Sequence, residues 1–222
     1  MSPIPPGTRD ANNAPGTSAI PAATQAGRAL RRWLAQPHLD VAPGWFQCGA
    51  PGRSPLRANL ASARLRSMLP APYYDINALQ HWHPWLARPV EDIEADLIRA
   101  AALTLQRQIR QCIHGNQRLA LIDALGASIY QEVMRTHGPA LQPLEGLLLP
   151  EPQWAQRQQV LACGLRLAYD VLHRASPYLA QRLLLRFPPD IVLPPVDDRK
   201  WSQAACMLAS TILQQKDTHD DH

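Results

Sequence analysis

Apolar residues recur every three to four positions along most of the chain beyond residue 54, the spacing that gathers them on one face of a helix. The clearest run is Val90–Ile113, in which Ile93, Leu97, Ala101, Leu105, Ile109 and Ile113 fall four apart. Glu91, Asp92, Glu94 and Asp96 occupy its opening turns, where negative charge suits the helix dipole, and Gly115 follows as a C-terminal cap. A second long helix is expected over Pro152–Ala175, with Trp154, Leu161, Leu165, Ala168 and Leu172 as its core stripe.

Ser54-Pro55 and Ser176-Pro177 each set a capping serine before a proline at the first helical position. They predict helices running to about Leu69 and to about Arg186. Two shorter helices, about Gln117–Leu125 and Ser128–Thr136, are divided by Gly126 and closed by Gly138. A last helix, capped by Asp197 or Asp198, is expected to carry Trp201, Ala204, Ala205, Leu208 and Ile212 on one face. Sustained two-residue alternation is missing, and Ile191-Val192-Leu193 offers one strand at most. The expected fold class is all-α, an irregular domain of about six to eight helices.

The N-terminal region reads differently. Nine of the 22 prolines fall in the first 55 residues, among Gly, Ala, Ser, Thr and Asn. Such a segment buries too little apolar surface to offset its ordering entropy. Residues 1–53 are therefore expected to be largely disordered, 1–23 above all, with 54–215 as the helical domain and 216–222 as a polar tail. One short basic amphipathic helix, Gln25–Leu34, interrupts the region, with Leu30, Trp33 and Leu34 on one side and Arg28, Arg31 and Arg32 mostly on the other. It suits packing on its own domain, or contact with a partner or membrane surface.

Charge sharpens this division. The formal net charge of +4 is unevenly spread: residues 1–69 carry eight arginines against Asp10 and Asp40, so the remainder is slightly acidic. Lysine occurs only at Lys200 and Lys216, and neither lies beside the glycine that a Walker-type phosphate loop requires. Gly-x-Ser-x-Gly, His-Glu-x-x-His and a dinucleotide-binding glycine fingerprint are all missing from the sequence. The opening MSPIPPGTRDANNAPG lacks the apolar core of a secretory signal, and no run approaches the roughly 18 apolar residues of a membrane span. The four cysteines, Cys48, Cys112, Cys163 and Cys206, are scattered in the manner of reduced cysteines used as small hydrophobes. The expectation is a cytoplasmic protein that is not an enzyme and needs no cofactor.

Cys112 and His114 sit two apart, so on a helix they point about 200° away from each other and cannot grip one ion. His81 and His83 converge only if their segment is extended. Leu125-Gly126-Ala127-Ser128 resembles the turn of a helix-turn-helix, with Ser128, Gln131 and Arg135 as candidate base-reading residues. Against it, Glu132 falls where that motif needs a buried apolar side chain, and Ile122 replaces a small one.

The most unusual stretch is Tyr73–Leu86. Tyr73, Tyr74, Trp82 and Trp85 crowd together with His81 and His83 among prolines, in a chain of six tryptophans and two phenylalanines. The prolines argue against a regular amphipathic element, leaving a core plug or a protein-binding surface, where Trp and Tyr are enriched as anchors. On the binding reading, the contact residues are Tyr73, Tyr74, His81, Trp82, His83 and Trp85.

A tyrosine-bearing stretch leading to His83-Pro84-Trp85-Leu86, followed by a helical body with Leu-x-x-x-Leu-Gly at 121–126, resembles the SctK family of type III secretion adaptors. The likeness covers about residues 70–215. It implies a non-enzymatic protein of bacterial virulence and protein transport, acting at the cytoplasmic face of the inner membrane. Its implied partners are the cytoplasmic domain of an SctD-type ring protein and an SctQ-type pod protein. No catalytic residues and no cofactor come with the resemblance.

Overall fold

The computed structural model describes residues 28, 32–46, 54–70, 76–112, 114–136, 139–148 and 155–215. Nine α-helices have bounds within them: α1 Pro55–Met68, α2 Ile76–Leu86, α3 Val90–Thr104, α4 Gln106–Gln111, α5 Gly115–Leu125, α6 Ala127–Arg135, α7 Arg157–Ala175, α8 Pro177–Leu184 and α9 Gln203–Gln214. Single 3-10 turns occupy Pro37–Asp40, Pro43–Trp45, Pro139–Leu144 and Asp198–Lys200. The described residues hold no strand, only an isolated antiparallel bridge between Leu148 and Val196, so the fold class is all-α. No helix among them is long and apolar enough to cross a membrane.

The chain folds around α3. Ile93, Leu97, Ile98, Ala100, Ala101, Ala102 and Leu103 are all buried, so the C-terminal half of this helix is enclosed on nearly every side, while Glu91, Asp92 and Ala95 near its start are exposed. A stretch apolar all round sits in the middle of its domain. Helix α7 crosses it and supplies Val160, Cys163, Leu165, Leu167, Ala168, Val171 and Leu172 to the same core. At the crossing Gly164 lies against Leu97 so closely that a Cβ there would fall on the Leu97 carbonyl. Helix α9 packs on both α3 and α7, α8 turns back along α7, and the α5–α6 pair closes the far side.

Several boundaries move from their sequence-based positions. The expected Val90–Ile113 helix is broken at Leu105, whose φ of −93° and ψ of 12° lie off the helical well. Beside the break, the Thr104 hydroxyl donates to the Ala100 carbonyl at 2.8 Å, the back-bond that bends helices. Helix α7 begins at Arg157, after Gln156 in extended conformation, and the expected start Pro152 and stripe residue Trp154 lie outside the described residues. Helix α8 ends at Leu184, short of Arg186. The last helix is capped by Ser202, whose Oγ accepts from the Ala205 amide at 3.1 Å. Asp197 caps the short 3-10 turn before it instead. The buried face of α9 is Ala205, Ala209, Ile212 and Leu213, while Ala204 is exposed and Trp201 half-buried.

The body also starts earlier than Ser54. Residues 32–46 run against α8: Trp33 and Pro37 are buried, Ala42 N donates to the Leu185 carbonyl at 2.8 Å, and Trp45 Nε1 donates to the Phe187 carbonyl at 2.8 Å. Two tryptophans and Phe46 supply apolar surface that overall composition hides. Of the short helix expected over Gln25–Leu34, residues 28 and 32–34 are described and helical. The expectations for residues 1–23 and for the tail 216–222 lie outside the described residues.

The α3–α7 approach is directly testable. Gly164→Ala is expected to destabilise the protein by about 1–3 kcal/mol or more, because backbone must move to admit the methyl group. Gly115→Ala, with nothing within 4 Å of its added Cβ, should stay within about 0.5 kcal/mol of wild type. Urea unfolding of both variants measures the contrast.

Candidate functional site: the aromatic helix and its arginine clamp

From Ile76 to Leu86 the aromatic segment is a helix. Leu79, Trp82, His83 and Leu86 fall at the i, i+3, i+4, i+7 spacing and are all buried. This corrects the expectation that the prolines preclude a regular amphipathic element. Pro84 faces solvent near the end of α2 and forfeits one bond, to the Gln80 carbonyl. Tyr73 and Tyr74 lie outside the described residues.

Helical geometry separates the two histidines. His81 is exposed, with Nε2 3.0 Å from Gln214 Nε2 in the last turn of α9. His83 points inward, its ring 5.5 Å from that of Trp33 in an edge-on contact. The histidine pair therefore does not converge on one ligand. Among the described residues, no group of three or more His, Cys, Asp and Glu side chains is placed to hold a metal ion.

Trp82 is 3% exposed and Trp85 4%, and their rings meet edge to face at 5.8 Å. That burial puts both in the core of the chain. Trp85 Nε1 donates to Asp96 Oδ2 of α3 at 2.8 Å, and Arg88 donates to the same oxygen at 2.5 Å. Asp96, read from sequence only as a favourable charge in the first turns, is a buried acceptor joining α2, the following loop and α3.

Arginines make the remaining joints. Arg182 of α8 is only 2% exposed; its guanidinium lies 4.2 Å from the Trp33 ring and donates to the Trp33 carbonyl at 3.2 Å. Asp40 approaches it at 3.5 Å. Arg186 donates to the carbonyls of Leu86 and Arg88, the latter at 2.7 Å, and so closes the C-terminal end of α2. Trp33 Nε1, His83 Nε2, Arg182 Nη1 and Arg186 Nε are buried with no hydrogen-bond partner among the described residues. Burial lowers the pKa of both guanidinia, and nearby Asp40 opposes the shift in each case.

Sequence reasoning missed this clamp. Its signal was present in Tyr178–Phe187, where Arg182 and Arg186 take up positions on an otherwise apolar stripe. Next to the clamp, a cleft of about 750 Å³ lies between Leu39–Pro43, the first turns of α3 and α7, and Phe187–Ile191. Its floor is mainly apolar, and the Arg157–Glu94 ion pair, at 2.8 Å, spans its edge.

The glycine between α5 and α6 is a true turn residue: Gly126 has φ 83° and ψ 150°. Ser128, Gln131 and Arg135 are exposed on α6, but Glu132 is held in a fork by Arg99, with bonds of 2.6 to 3.1 Å. The ion pair thus ties α6 to α3 at a position that a helix-turn-helix fills with an apolar residue. Cys112, Cys163 and Cys206 are free thiols, and burial pushes Cys163 up to about 11, which leaves it protonated and unreactive.

Comparison with protein-family models, curated proteins and solved structures returns no match for this chain.

Because Trp82 and Trp85 are core residues, replacing either by Ala should cost about 3–5 kcal/mol, read as a lowered urea midpoint. A second outcome concerns acid. Burial lowers the His83 pKa from 6.5, and Asp40 partly opposes the shift. The unfolded chain then binds the proton more readily, so this contribution is full above about pH 6.5 and is lost as pH falls below that value. The melting temperature of His83→Phe should fall less than that of wild type between about pH 7 and about pH 5.

Proposed function

We propose that the chain is a non-enzymatic adaptor of a type III secretion sorting platform, joining an SctD-type inner-membrane ring protein to an SctQ-type pod at the cytoplasmic face of the inner membrane. One observation carries this reading: the described residues behind the family resemblance are architectural. Trp85 binds Asp96, the Leu86 carbonyl accepts from Arg186, and Gly126 makes the turn between α5 and α6. A resemblance concentrated in residues that shape a helical body fits a protein whose work is to present surfaces. A helix-turn-helix regulator has less support, since Glu132, at a position that motif fills with an apolar residue, is tied to Arg99.

Affinity purification with the SctD-type cytoplasmic domain and the SctQ-type protein of the same gene cluster, under reducing, low-salt conditions, tests the proposal. The expected outcome is a complex containing all three. Failure to retain either one overturns it.

A further inference from the structure

Helix α1 sits at the edge of the fold, packed on the Pro37–Asp40 turn through Ser62 and Leu65, with His38 Nδ1 2.5 Å from Ser62 Oγ. Its opposite face is open. Leu56 is 69% exposed and Leu60 62%, and Ala63 and Ser67 continue the same line in the open. The intervals along that line are four, three and four, the alternation of a coiled-coil seam.

The flanks carry one sign of charge. Arg57 and Arg64 occupy one side of the seam, Asn59 and Arg66 the other, and all four are exposed. Helix α1 contains no acidic residue, and its three arginines form no ion pair with the described residues. In a coiled coil the flanking positions choose the partner, so a cationic pair of flanks selects an anionic one.

We propose that the outer face of α1 is a docking seam for a helix of another protein, with leucines at the seam positions and Glu or Asp on both flanks. A second copy of this chain is disfavoured: antiparallel pairing would bring Arg57 and Arg64 of the two helices together, and parallel pairing would set Arg64 against Asn59, so neither arrangement offers an arginine an acidic partner. The chain's own terminal Asp217–His222 has the charge but no apolar residue to fill the seam. An anionic membrane would also attract the arginines. In-plane helices, however, bury a broad face with bulky or aromatic residues, whereas this face has two leucines followed by Ala63 and Ser67. The seam stands on α1 alone and does not depend on the adaptor reading, so either can fail without the other.

The probe is a fluorescent peptide of three heptads, Leu at the seam positions and Glu at the flanks, titrated with the full chain and followed by anisotropy. Controls are a scrambled peptide of the same composition and phosphatidylserine–phosphatidylcholine vesicles. Saturable binding about tenfold or more tighter than to the scrambled peptide is expected, weakening as salt rises. Leu60→Asp should abolish it. The triple variant Arg57→Glu, Arg64→Glu, Arg66→Glu should lose the Glu-flanked peptide and gain a Lys-flanked one. Its changes are all at exposed positions, and circular dichroism confirms the fold. The proposal is overturned by equal binding to the scrambled peptide, by no binding, by an unchanged triple variant, or by vesicle capture at concentrations that leave the peptide free.

Discussion

The close crossing of α3 and α7 is the constraint on which the remaining arrangement depends. Without a side chain at Gly164 the two backbones approach until the glycine rests on Leu97. That distance sets how deeply the C-terminal half of α3 is enclosed, and there the helix turns apolar residues to every side from Ala100 to Leu103. Helices α8 and α9 and the α5–α6 pair then cover the surfaces that the crossing leaves.

Around this apolar centre, arginine does structural work. Arg182 fastens the N-terminal residues through the face and carbonyl of Trp33, Arg186 closes the end of α2, Arg88 shares Asp96 with Trp85, and Arg99 grips Glu132. Arg99 and Arg186 each use two donors of one planar group, and Arg182 lays that plane against the Trp33 ring, geometry that a lysine ammonium cannot reproduce. The scarcity of lysine in the chain agrees with this use. The aromatic segment belongs to the same system: its tryptophans anchor α2, and its arginine-bound carbonyls fix where the chain turns toward α3.

The surfaces left over are unequal. The clamp side is tied together by arginines, with the cleft opening beside it, whereas the outer face of α1 offers exposed leucines and arginines that form no ion pair with the described residues. A protein that binds others would be expected to keep this contrast between a rigid body and a charged, apolar edge.

The helical periodicity, the helix starts at Pro55 and Pro177 (where neither Ser54 nor Ser176 makes the expected side-chain cap bond), and the core residues Ile93, Leu97, Ala101, Leu105 and Ile109 were legible in the sequence, because burial of one face imposes a period that local chemistry cannot hide. The break at Leu105 and the later start of α7 were not, since helix ends depend on competing hydrogen bonds and neighbours. The candidate aromatic residues were legible as a cluster. Whether they faced inward was decided by packing, as α2 absorbed Pro84 on its solvent side and buried Trp82, His83 and Trp85. Above all, the sequence alone determined a helical body with its positive charge toward the N-terminal end. Only the tertiary structure decided that residues 32–46 belong to that body and that Arg182 is buried within it, because the partners concerned, Trp33 and Asp40, lie far away along the chain.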